Sequence, residues 1–168
     1  HSKEMAEKIA KIRDHGQRKK YHHDLEGYNG RMDAIQAGIL RVKLKKLAHW
    51  NDARRRHAEQ YSKLINCKNG LTLPTELSIC RSVHHLYVIT VADRDALQAY
   101  LAEKGIATGL HYPVPLHLQN AYRHLGYQKG DFPVTEKVAE GLISLPMHPV
   151  LEPEQIQYVT DCINEFYH

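Results

Sequence analysis

Residues 27–37, GYNGRMDAIQA, join a turn to the start of the longest helical pattern in the chain. We expect Gly27 and Gly30 to form the turn, because glycine adopts backbone angles that are closed to other residues. Beyond the turn, apolar residues recur at helical spacing and predict a helix from about Arg31 to about Leu64. The apolar stripe at its start comprises Met32, Ile35, Ile39 and Val42.

The tip of this turn carries two polar side chains, Asn29 and Arg31. A polar loop that leads into a rigid helix can present such groups to a ligand. Unpaired N–H groups at a helix N-terminus also attract anions. The residues therefore favour a phosphate or carboxylate site at this turn. The alternative is a turn that only begins a capped helix.

The composition is that of an ordinary soluble globular protein, with 42% hydrophobic and 25% charged residues among 168. No run of about eighteen apolar residues and no signal-peptide pattern is present, so neither a membrane partner nor secretion is predicted. The formal net charge of +4 suits an anionic substrate without requiring nucleic acid. Three separated cysteines indicate reduced thiols in a cytoplasmic protein rather than a disulfide framework. They are Cys67, Cys80 and Cys162.

The segment before the turn is predicted to be a helix over residues 2–13. Ser2 is a suitable N-cap and Gly16 a suitable C-cap. The adjacent His22 and His23 raise the alternative of a metal site, which we do not predict, because a metal needs three or four converging ligands. The residues expected on one buried face of this helix are Met5, Ile9 and Ile12.

The exposed side of the long predicted helix is the most basic part of the chain. Clustered lysine and arginine can neutralise nucleic-acid phosphates, but no base-stacking aromatic residues lie between them and no nucleic-acid-binding motif is present. We therefore interpret this side as a solvated face and predict no nucleic-acid partner. A helix of this length usually connects two domains or lines an interface. The basic residues are Arg41, Lys43, Lys45, Lys46, Arg54, Arg55 and Arg56.

The second half of the chain combines strand and helix patterns after a predicted linker at residues 66–82. Val, Tyr, Ile and Thr predict a strand over residues 83–91. A helix is predicted over residues 94–104 and a second strand over residues 106–111. Short joins between these elements indicate an α+β fold, built as two α/β layers with helices on a small sheet. Further helices are predicted over residues 120–127, over residues 134–143, and from Pro153 onward with Ile156, Val159, Ile163 and Phe166 buried.

Residues 111–119, HYPVPLHLQ, follow the second predicted strand. Two prolines one residue apart end the strand and stiffen an extended turn. Rigid turns at strand ends that carry polar side chains commonly bind substrates. His111, Tyr112 and His117 are therefore candidate ligand-binding residues. The alternative is a packed turn with partly buried histidines.

Three segments of the chain resemble one protein family closely. They are RDHGQ at residues 13–17, GYNGRMDAIQAGILRVKLKKL at residues 27–47 and GLHYPVPLHLQ at residues 109–119. The chain resembles the C-terminal part of the DegT/DnrJ/EryC1/StrS aminotransferases, the pyridoxal-phosphate enzymes that aminate nucleotide-linked keto sugars. The resemblance covers essentially the whole chain.

The resemblance implies a domain organisation. Residues 1–30 would be the tail end of a large cofactor-binding domain, and residues 31–65 a long interdomain helix. Residues 66–168 would form the C-terminal small domain of a fold-type I aminotransferase, with a small, mostly antiparallel sheet covered by helices.

The resemblance also implies a reaction, in which an amino group passes from glutamate to a 3- or 4-keto sugar carried on UDP, GDP or dTDP. The cofactor would be pyridoxal 5'-phosphate. The form of the turn at residues 111–119 favours the subgroup that acts on 3-keto sugars. Such enzymes would serve polysaccharide, O-antigen or antibiotic-sugar biosynthesis in the cytoplasm, as homodimers with shared active sites.

The family's motif residues correspond to five positions in this chain. Asn29 is expected to hydrogen-bond the cofactor phosphate across the dimer interface, since a neutral amide can donate to a phosphate oxygen. Arg31 is expected to aid phosphate or sugar binding, or to brace the turn. His111 and Tyr112 are expected to shape the sugar pocket, and His117 is included with them.

Two groups that the family uses in catalysis are not found in this sequence. Transamination needs a Schiff-base lysine and an acid opposite the pyridine nitrogen, and in the family both lie upstream of the matched region. We therefore predict that the chain alone is inactive. Alternatives within the family are a non-catalytic or regulatory member and a pyridoxal-phosphate sugar dehydratase, in which histidine replaces the lysine. A basic-helix nucleic-acid binder is a remote alternative.

Overall fold

The computed structural model describes residues 2–66 and 70–168. The chain forms two compact units, unit 1 at His1–Leu47 and unit 2 at Ala48–His168. The boundary between them falls within the stretch that the sequence predicts as one long helix.

The first helix of unit 1, α1, spans Lys3–Arg13, as predicted. The Ser2 hydroxyl accepts a hydrogen bond from the Met5 N–H at 3.2 Å and so caps the N-terminus. The predicted buried face is wrong, because Met5 and Ile9 are each 57% exposed and α1 contains no buried residue. The spacing is that of an amphipathic helix, but this chain does not cover the apolar face.

A short antiparallel hairpin follows α1, with β1 at Gln17–Lys19 and β2 at His22–His23. The Nδ1 atom of His23 lies 2.7 Å from the His15 carbonyl oxygen, so this imidazole is hydrogen-bonded to the backbone. Among the residues that the structure describes, no group of three or more His, Cys, Asp or Glu side chains is arranged to hold a metal ion.

The turn at Gly27 packs against the end of α1. The Tyr28 N–H donates to the Ile12 carbonyl at 2.7 Å. A Cβ atom at Gly27 would lie 2.2 Å from the Gly16 nitrogen. Neither Gly27 nor Gly30 has a positive φ angle, so the predicted reason for glycine at these positions is wrong. At Gly27 the physical reason is the close approach of two backbone segments.

The helix predicted over residues 31–64 is in fact two helices, α2 at Ala34–Leu44 and α3 at Leu47–Leu64. At the junction the Lys46 N–H donates to the Lys43 carbonyl at 2.9 Å, which is a tighter turn than that of an α-helix. Lysine and leucine on both sides of the junction are good helix formers, so helix propensity could not predict the interruption.

The basic residues are only partly solvated. Arg55 donates to the Asp52 carboxylate at 2.6 Å and to the Ser82 carbonyl at 2.8 Å. Arg54 and Arg55 are half-buried, so the prediction that they belong to an exposed face is wrong. The basic residues that are exposed are Arg41, Lys43, Lys45, Lys46 and Arg56.

Unit 2 contains a three-stranded antiparallel sheet in the order β3-β4-β5. Along β4 the residues alternate between buried and half-buried, as the period of the predicted strand requires. The register places Tyr87 opposite Leu145 and Ile89 opposite Ile143. The strands span Leu71–Thr72 (β3), Tyr87–Val91 (β4) and Leu142–Leu145 (β5).

The strand predicted over residues 106–111 does not form. The segment meets the sheet through an isolated bridge, in which Gly109 and Ser144 exchange two backbone hydrogen bonds of 3.0 and 2.8 Å. The third strand is β5, where the sequence predicted the end of a helix and an extended piece. All residues of β5 are buried, and periodicity cannot distinguish a short, fully buried strand from a buried stretch of helix.

The remaining helices pack with the sheet into one hydrophobic core, to which α3 contributes Tyr61. Helices α4 and α6 confirm the predicted helices, although Phe166 is only half-buried, while α5 ends before the predicted boundary. Two short 3₁₀ turns, at Leu116–Leu118 and Asn120–Leu125, precede α5. The helices span Arg94–Glu103 (α4), Pro133–Gly141 (α5) and Pro153–Phe166 (α6), and the fully buried residues of α4 and α6 include Leu97, Leu101, Ile156 and Ile163.

Two expectations drawn from composition can be compared with the structure. Cys80 and Cys162 are free thiols, whereas Cys67 lies outside the described residues. Within the part of the chain that the structure describes, no helix combines the length and apolar character needed to cross a bilayer.

Candidate functional site

Unit 2 contains an open groove of about 870 Å³. One wall is the turn at residues 111–116, and the other is formed by α5 and the start of β5. Among the described residues, no lysine, arginine, aspartate or glutamate lines it. The groove is therefore suited to an uncharged part of a ligand, and a pyrophosphate would need cations from elsewhere. Its apolar lining includes Pro113, Val114, Pro115, Leu116, Val138 and Leu142.

His111 lines the groove and is held by a hydrogen bond. Its Nδ1 atom lies 2.7 Å from the Ser144 hydroxyl oxygen, and Ser144 is buried in β5. The ring folds over Gly109, where a Cβ atom would lie only 2.8 Å from the His111 Cε1 atom. Glycine at this position and the hydroxyl of Ser144 together fix the imidazole and leave its Nε2 atom for another partner.

Tyr112 also lines the groove and is 84% exposed. Its φ angle of 66° is in the left-handed region, which is rare for a bulky aromatic residue. Such a conformation persists only where the surrounding structure enforces it.

His117 does not line the groove with His111 and Tyr112. Its side chain is 8% exposed, and its Nε2 atom lies 2.9 Å from the Oε1 atom of Glu136. The ring also packs on Phe132, with the ring centroids 4.8 Å apart. The structure thus brings together two of the three predicted substrate residues and places the third in an internal contact.

Glu136, in α5, is a buried carboxylate that the sequence analysis missed. It accepts hydrogen bonds from the Gly130 N–H at 2.9 Å and the Phe132 N–H at 3.3 Å, as well as from His117. Burial alone would raise the pKa of the Glu136 carboxyl, but the hydrogen bonds from Gly130, His117 and Phe132 together hold that pKa below its ordinary value. An acidic residue near a helix N-terminus is common, so the sequence carries no signal that this one is buried.

Asn29 and Arg31 lie in unit 1, ahead of α2, which begins at Ala34. The backbone of Asn29 is held in a bridge with Asp14. The Asn29 side chain is exposed, and among the described residues it has no hydrogen-bond partner. The Arg31 Nε atom lies 3.3 Å from the Asp14 carboxylate, so this pair braces the turn while the arginine stays largely exposed.

Comparison with known proteins gives the family. Residues 1–164 match the profile of the DegT/DnrJ/EryC1/StrS aminotransferase family. The chain belongs to this family. The match is to a C-terminal part of the family's enzymes, which confirms the resemblance seen in the sequence.

Three curated relatives show how the match is distributed. A "Pleiotropic regulatory protein" of Geobacillus stearothermophilus is 47% identical over 98% of this chain and 45% of its own length. A dTDP-3-amino-3,6-dideoxy-alpha-D-galactopyranose transaminase of Aneurinibacillus thermoaerophilus is 39% identical over 97% of this chain and 44% of its own length. A UDP-N-acetyl-3-dehydro-alpha-D-glucosamine 3-aminotransferase of Acidithiobacillus ferrooxidans is 39% identical over 98% of this chain and 44% of its own length. The chain therefore spans less than half the length of these relatives.

Solved structures confirm the fold. DesV of Streptomyces venezuelae, in complex with a ketimine intermediate, superposes with a TM-score of 0.95 at 36% identity, over 99% of this chain and 45% of that one. A DegT/DnrJ/EryC1/StrS aminotransferase from Brucella abortus superposes with a TM-score of 0.89 at 33% identity, over 99% of this chain and 44% of that one. The predicted α+β arrangement of helices and a small antiparallel sheet is thus that of these enzymes.

The donor set of unit 1 fits the phosphate group of pyridoxal phosphate. The Asn29 amide and the Arg31 guanidinium are exposed N–H donors, and both types of donor bind phosphate oxygens. All described lysines except Lys11 are exposed, none lines the groove, and Lys11 is paired with Asp24 at 2.6 Å.

Proposed function

We propose that this chain is part of a pyridoxal-phosphate-dependent aminotransferase that moves an amino group from glutamate to a nucleotide-linked 3- or 4-keto sugar. The observation that carries the proposal is the family match over residues 1–164, together with 39% identity to two enzymes named as sugar aminotransferases. Their names favour a 3-keto sugar on dTDP or UDP. The Schiff-base lysine would lie outside this chain.

The cofactor, when bound, supplies a conjugated ring that withdraws electrons from the reacting carbon. The role proposed for Asn29 is to donate its amide N–H to the cofactor phosphate in a homodimer with shared active sites. Arg31 would place a positive charge beside the same oxyanion, and its pairing with Asp14 would hold it in that position.

His111 and Tyr112 are proposed to bind the sugar at the mouth of the groove. The Ser144 hydrogen bond to His111 Nδ1 leaves Nε2 as the atom that can meet a sugar hydroxyl. The Tyr112 hydroxyl is exposed and can both donate and accept. Because no lysine, arginine, aspartate or glutamate in the described part of the chain lines the groove, it would hold the sugar ring rather than the diphosphate.

The test uses the full-length protein that carries this chain, supplied with pyridoxal phosphate, glutamate and dTDP- or UDP-linked 3-keto sugars. We expect stoichiometric formation of 2-oxoglutarate and an amino sugar, detected by mass spectrometry. Tyr112→Phe should lower kcat/KM for the sugar about tenfold through loss of one hydrogen bond to substrate. Tyr122→Phe is the matched control, since Tyr122 does not line the groove.

The same assay separates the alternatives within the family. A dehydratase would remove oxygen from the sugar without amination and without consuming a stoichiometric amount of glutamate. A regulatory member would show neither reaction. This second candidate is favoured by one observation, the 47% identity to the Geobacillus protein named as a pleiotropic regulatory protein.

The expectations of a cytoplasmic homodimer without nucleic-acid or membrane partners belong to the same proposal. Sedimentation of the full-length protein should give a dimer. Labelled duplex DNA should show no salt-dependent shift, because the sequence of the basic helices contains no nucleic-acid-binding motif.

A further inference from the structure

The turn that carries the proposed sugar-binding residues is held at both ends by polar contacts. At one end the His111 imidazole bonds the Ser144 hydroxyl of β5 at 2.7 Å. At the other end the His117 imidazole bonds the Glu136 carboxylate of α5 at 2.9 Å. Since α5 leads directly into β5, both contacts tie the turn to one continuous segment, residues 133–145.

The hydrogen bond between His117 and Glu136, called the latch below, is a specific structural contact. The side chains of His117 and Glu136 are 8% and 9% exposed. The carboxylate also accepts from the N–H groups of Gly130 and Phe132, so its charge is compensated by three donors. A carboxylate can only accept hydrogen bonds, and the Nε2 atom of His117 must therefore carry the proton. The Nε2 atom of His117 is thereby taken, and the side chain is buried and does not line the groove.

Between the two contacts lies the strained part of the turn. Tyr112 has a φ angle of 66°, and Pro113 and Pro115 restrict the backbone that follows. Left-handed backbone at a tyrosine is unfavourable unless neighbouring contacts enforce it. The contacts at His111 and His117 lie on either side of this strain and are placed to enforce it.

We propose that Glu136 and Ser144 are positioning residues for the substrate groove. Glu136 acts through His117, and Ser144 acts through His111. Together the two contacts hold Tyr112 and the apolar wall of the turn in the position in which they bind the substrate. His117 is then part of the latch and not a substrate ligand. The inference rests on the proposed function, since it names which residues arrange the sugar site.

The kinetic test compares His117→Ala, His117→Gln and Glu136→Ala in the full-length protein with glutamate and the keto-sugar nucleotide. Glutamine can place its Nε2 donor near the position of the histidine Nε2 atom and should restore the latch. His117→Ala and Glu136→Ala should raise KM for the sugar about tenfold or more, with KM for glutamate unchanged, because a small displacement of binding groups has a large effect. His117→Gln should stay close to wild type.

The matched control is Glu140→Gln, which removes an exposed carboxylate from the same helix. Glu140 pairs with Lys129 at 3.3 Å on the surface, and both side chains are well exposed. The control should leave both KM values unchanged. If His117→Gln is as impaired as His117→Ala, His117 acts on substrate directly and the proposal is wrong. A fall in kcat with unchanged KM in both alanine variants would also overturn it, because it would indicate a loss of folded enzyme only.

Amide hydrogen exchange provides a readout that does not depend on activity. In the wild type, the N–H groups of Gly130 and Phe132, which donate to Glu136, should be protected, as should the Leu118 N–H, which donates to the Pro115 carbonyl at 3.0 Å. His117→Ala should expose all of these, and His117→Gln should not. If the wild type shows no transamination but this exchange pattern is found, the proposed function fails while the latch stands. If the pattern is missing, the latch is refuted whatever the activity.

Discussion

Units 1 and 2 contain helices with equally clear apolar patterns but bury them very differently. In unit 2 the apolar residues of α3, α4 and α6 join the sheet in one core, with Leu97, Leu101, Ile156 and Ile163 fully buried. Among the described residues of unit 1, Gly16 alone is buried. The apolar residues of α1 and α2 that remain exposed include Met5, Ile9, Ile35, Ile39, Leu40, Val42 and Leu44.

The difference shows what an amphipathic pattern reports. It predicts that a helix has a face to be covered, but it does not say which surface covers it. Unit 2 supplies its own covering surface. Exposed apolar area as extensive as that of α2 is rare on an independent protein and marks a contact surface. We therefore expect this face to be a contact surface.

The largest predicted effect tests this contrast with two isoleucine substitutions. Ile163→Ala in α6 should lower the free energy of unfolding by about 2–5 kcal/mol, because Ile163 is fully buried and its removal leaves a cavity. Ile35→Ala in α2 should change it by less than about 0.5 kcal/mol, since Ile35 is 79% exposed. Denaturant unfolding of this chain gives both values. An equally large loss for Ile35→Ala would mean that its face is already covered.

A smaller loss of stability is expected when alanine replaces either of two glycines with left-handed backbone, one in each unit. Gly16 has a φ angle of 76°, and a Cβ atom there would lie 1.7 Å from the Leu25 carbonyl oxygen, whereas Gly126 has a φ angle of 78° and no atom within 4 Å of that position. Gly126→Ala should therefore cost only the conformational penalty of about 1–2 kcal/mol, and Gly16→Ala more than that.

Thermal unfolding of each variant, with exchange of the Tyr28 N–H as a local monitor of unit 1, measures this difference. The Tyr28 N–H donates to the Ile12 carbonyl, beside Gly16 in the packed turn. Equal costs for the two substitutions would contradict the close packing of this turn and leave only the backbone angle as the reason for glycine.

The smallest predicted effect is the pH dependence of stability that one carboxylate contributes in each unit. The Lys11 ammonium, hydrogen-bonded at 2.6 Å, lowers the pKa of Asp24 in unit 1. Burial opposes the shift at Glu136 in unit 2, but hydrogen bonds from Gly130, His117 and Phe132 outweigh it and lower that pKa. A pKa lowered by folding means that each group stabilises the protein above its ordinary pKa, 3.8 for Asp24 and 4.5 for Glu136. That stabilisation is lost as the pH falls through the lower folded value.

Salt should distinguish the two carboxylates. At about 1 M salt the screening length is about 3 Å, so the half-exposed Asp24 should return toward its ordinary pKa. Glu136 should keep its lowered pKa, because its carboxylate is buried and accepts hydrogen bonds from backbone N–H groups. Carboxyl titrations by NMR at low and high salt measure both. A similar shift for Glu136 would show that its site is open to solvent.

Much of unit 2 could be predicted because its signals are local. Alternation along β4 and the helical spacing of Leu97 and Leu101 each follow from the period of one element. The replacement of the predicted strand at residues 106–111 by β5 could not be predicted in the same way. Which of two short apolar segments pairs with β4 depends on the whole core, and Gly109 meets Ser144 at a single bridge.

The candidate site shows the same division. The residue types in HYPVPLHLQ predict that His111 and Tyr112 bind a ligand, and the structure puts both residues beside the groove. The same residue type at His117 is used differently, because a carboxylate far along the chain, at Glu136, lies within hydrogen-bond distance. Side-chain chemistry predicts what a histidine can bond, but only packing decides which partner it meets.

The amino-acid sequence by itself determined the family, the α+β class and helices α4 and α6, because motif residues and periodicity are properties of short segments. Only the tertiary structure decided the interruption between α2 and α3, the choice of β5 as the third strand and the pairing of His117 with Glu136. It also decided that the apolar face of α2 stays uncovered in this chain. Each of these depends on which distant residues meet in space, and on how the backbone and buried polar groups satisfy their hydrogen bonds there.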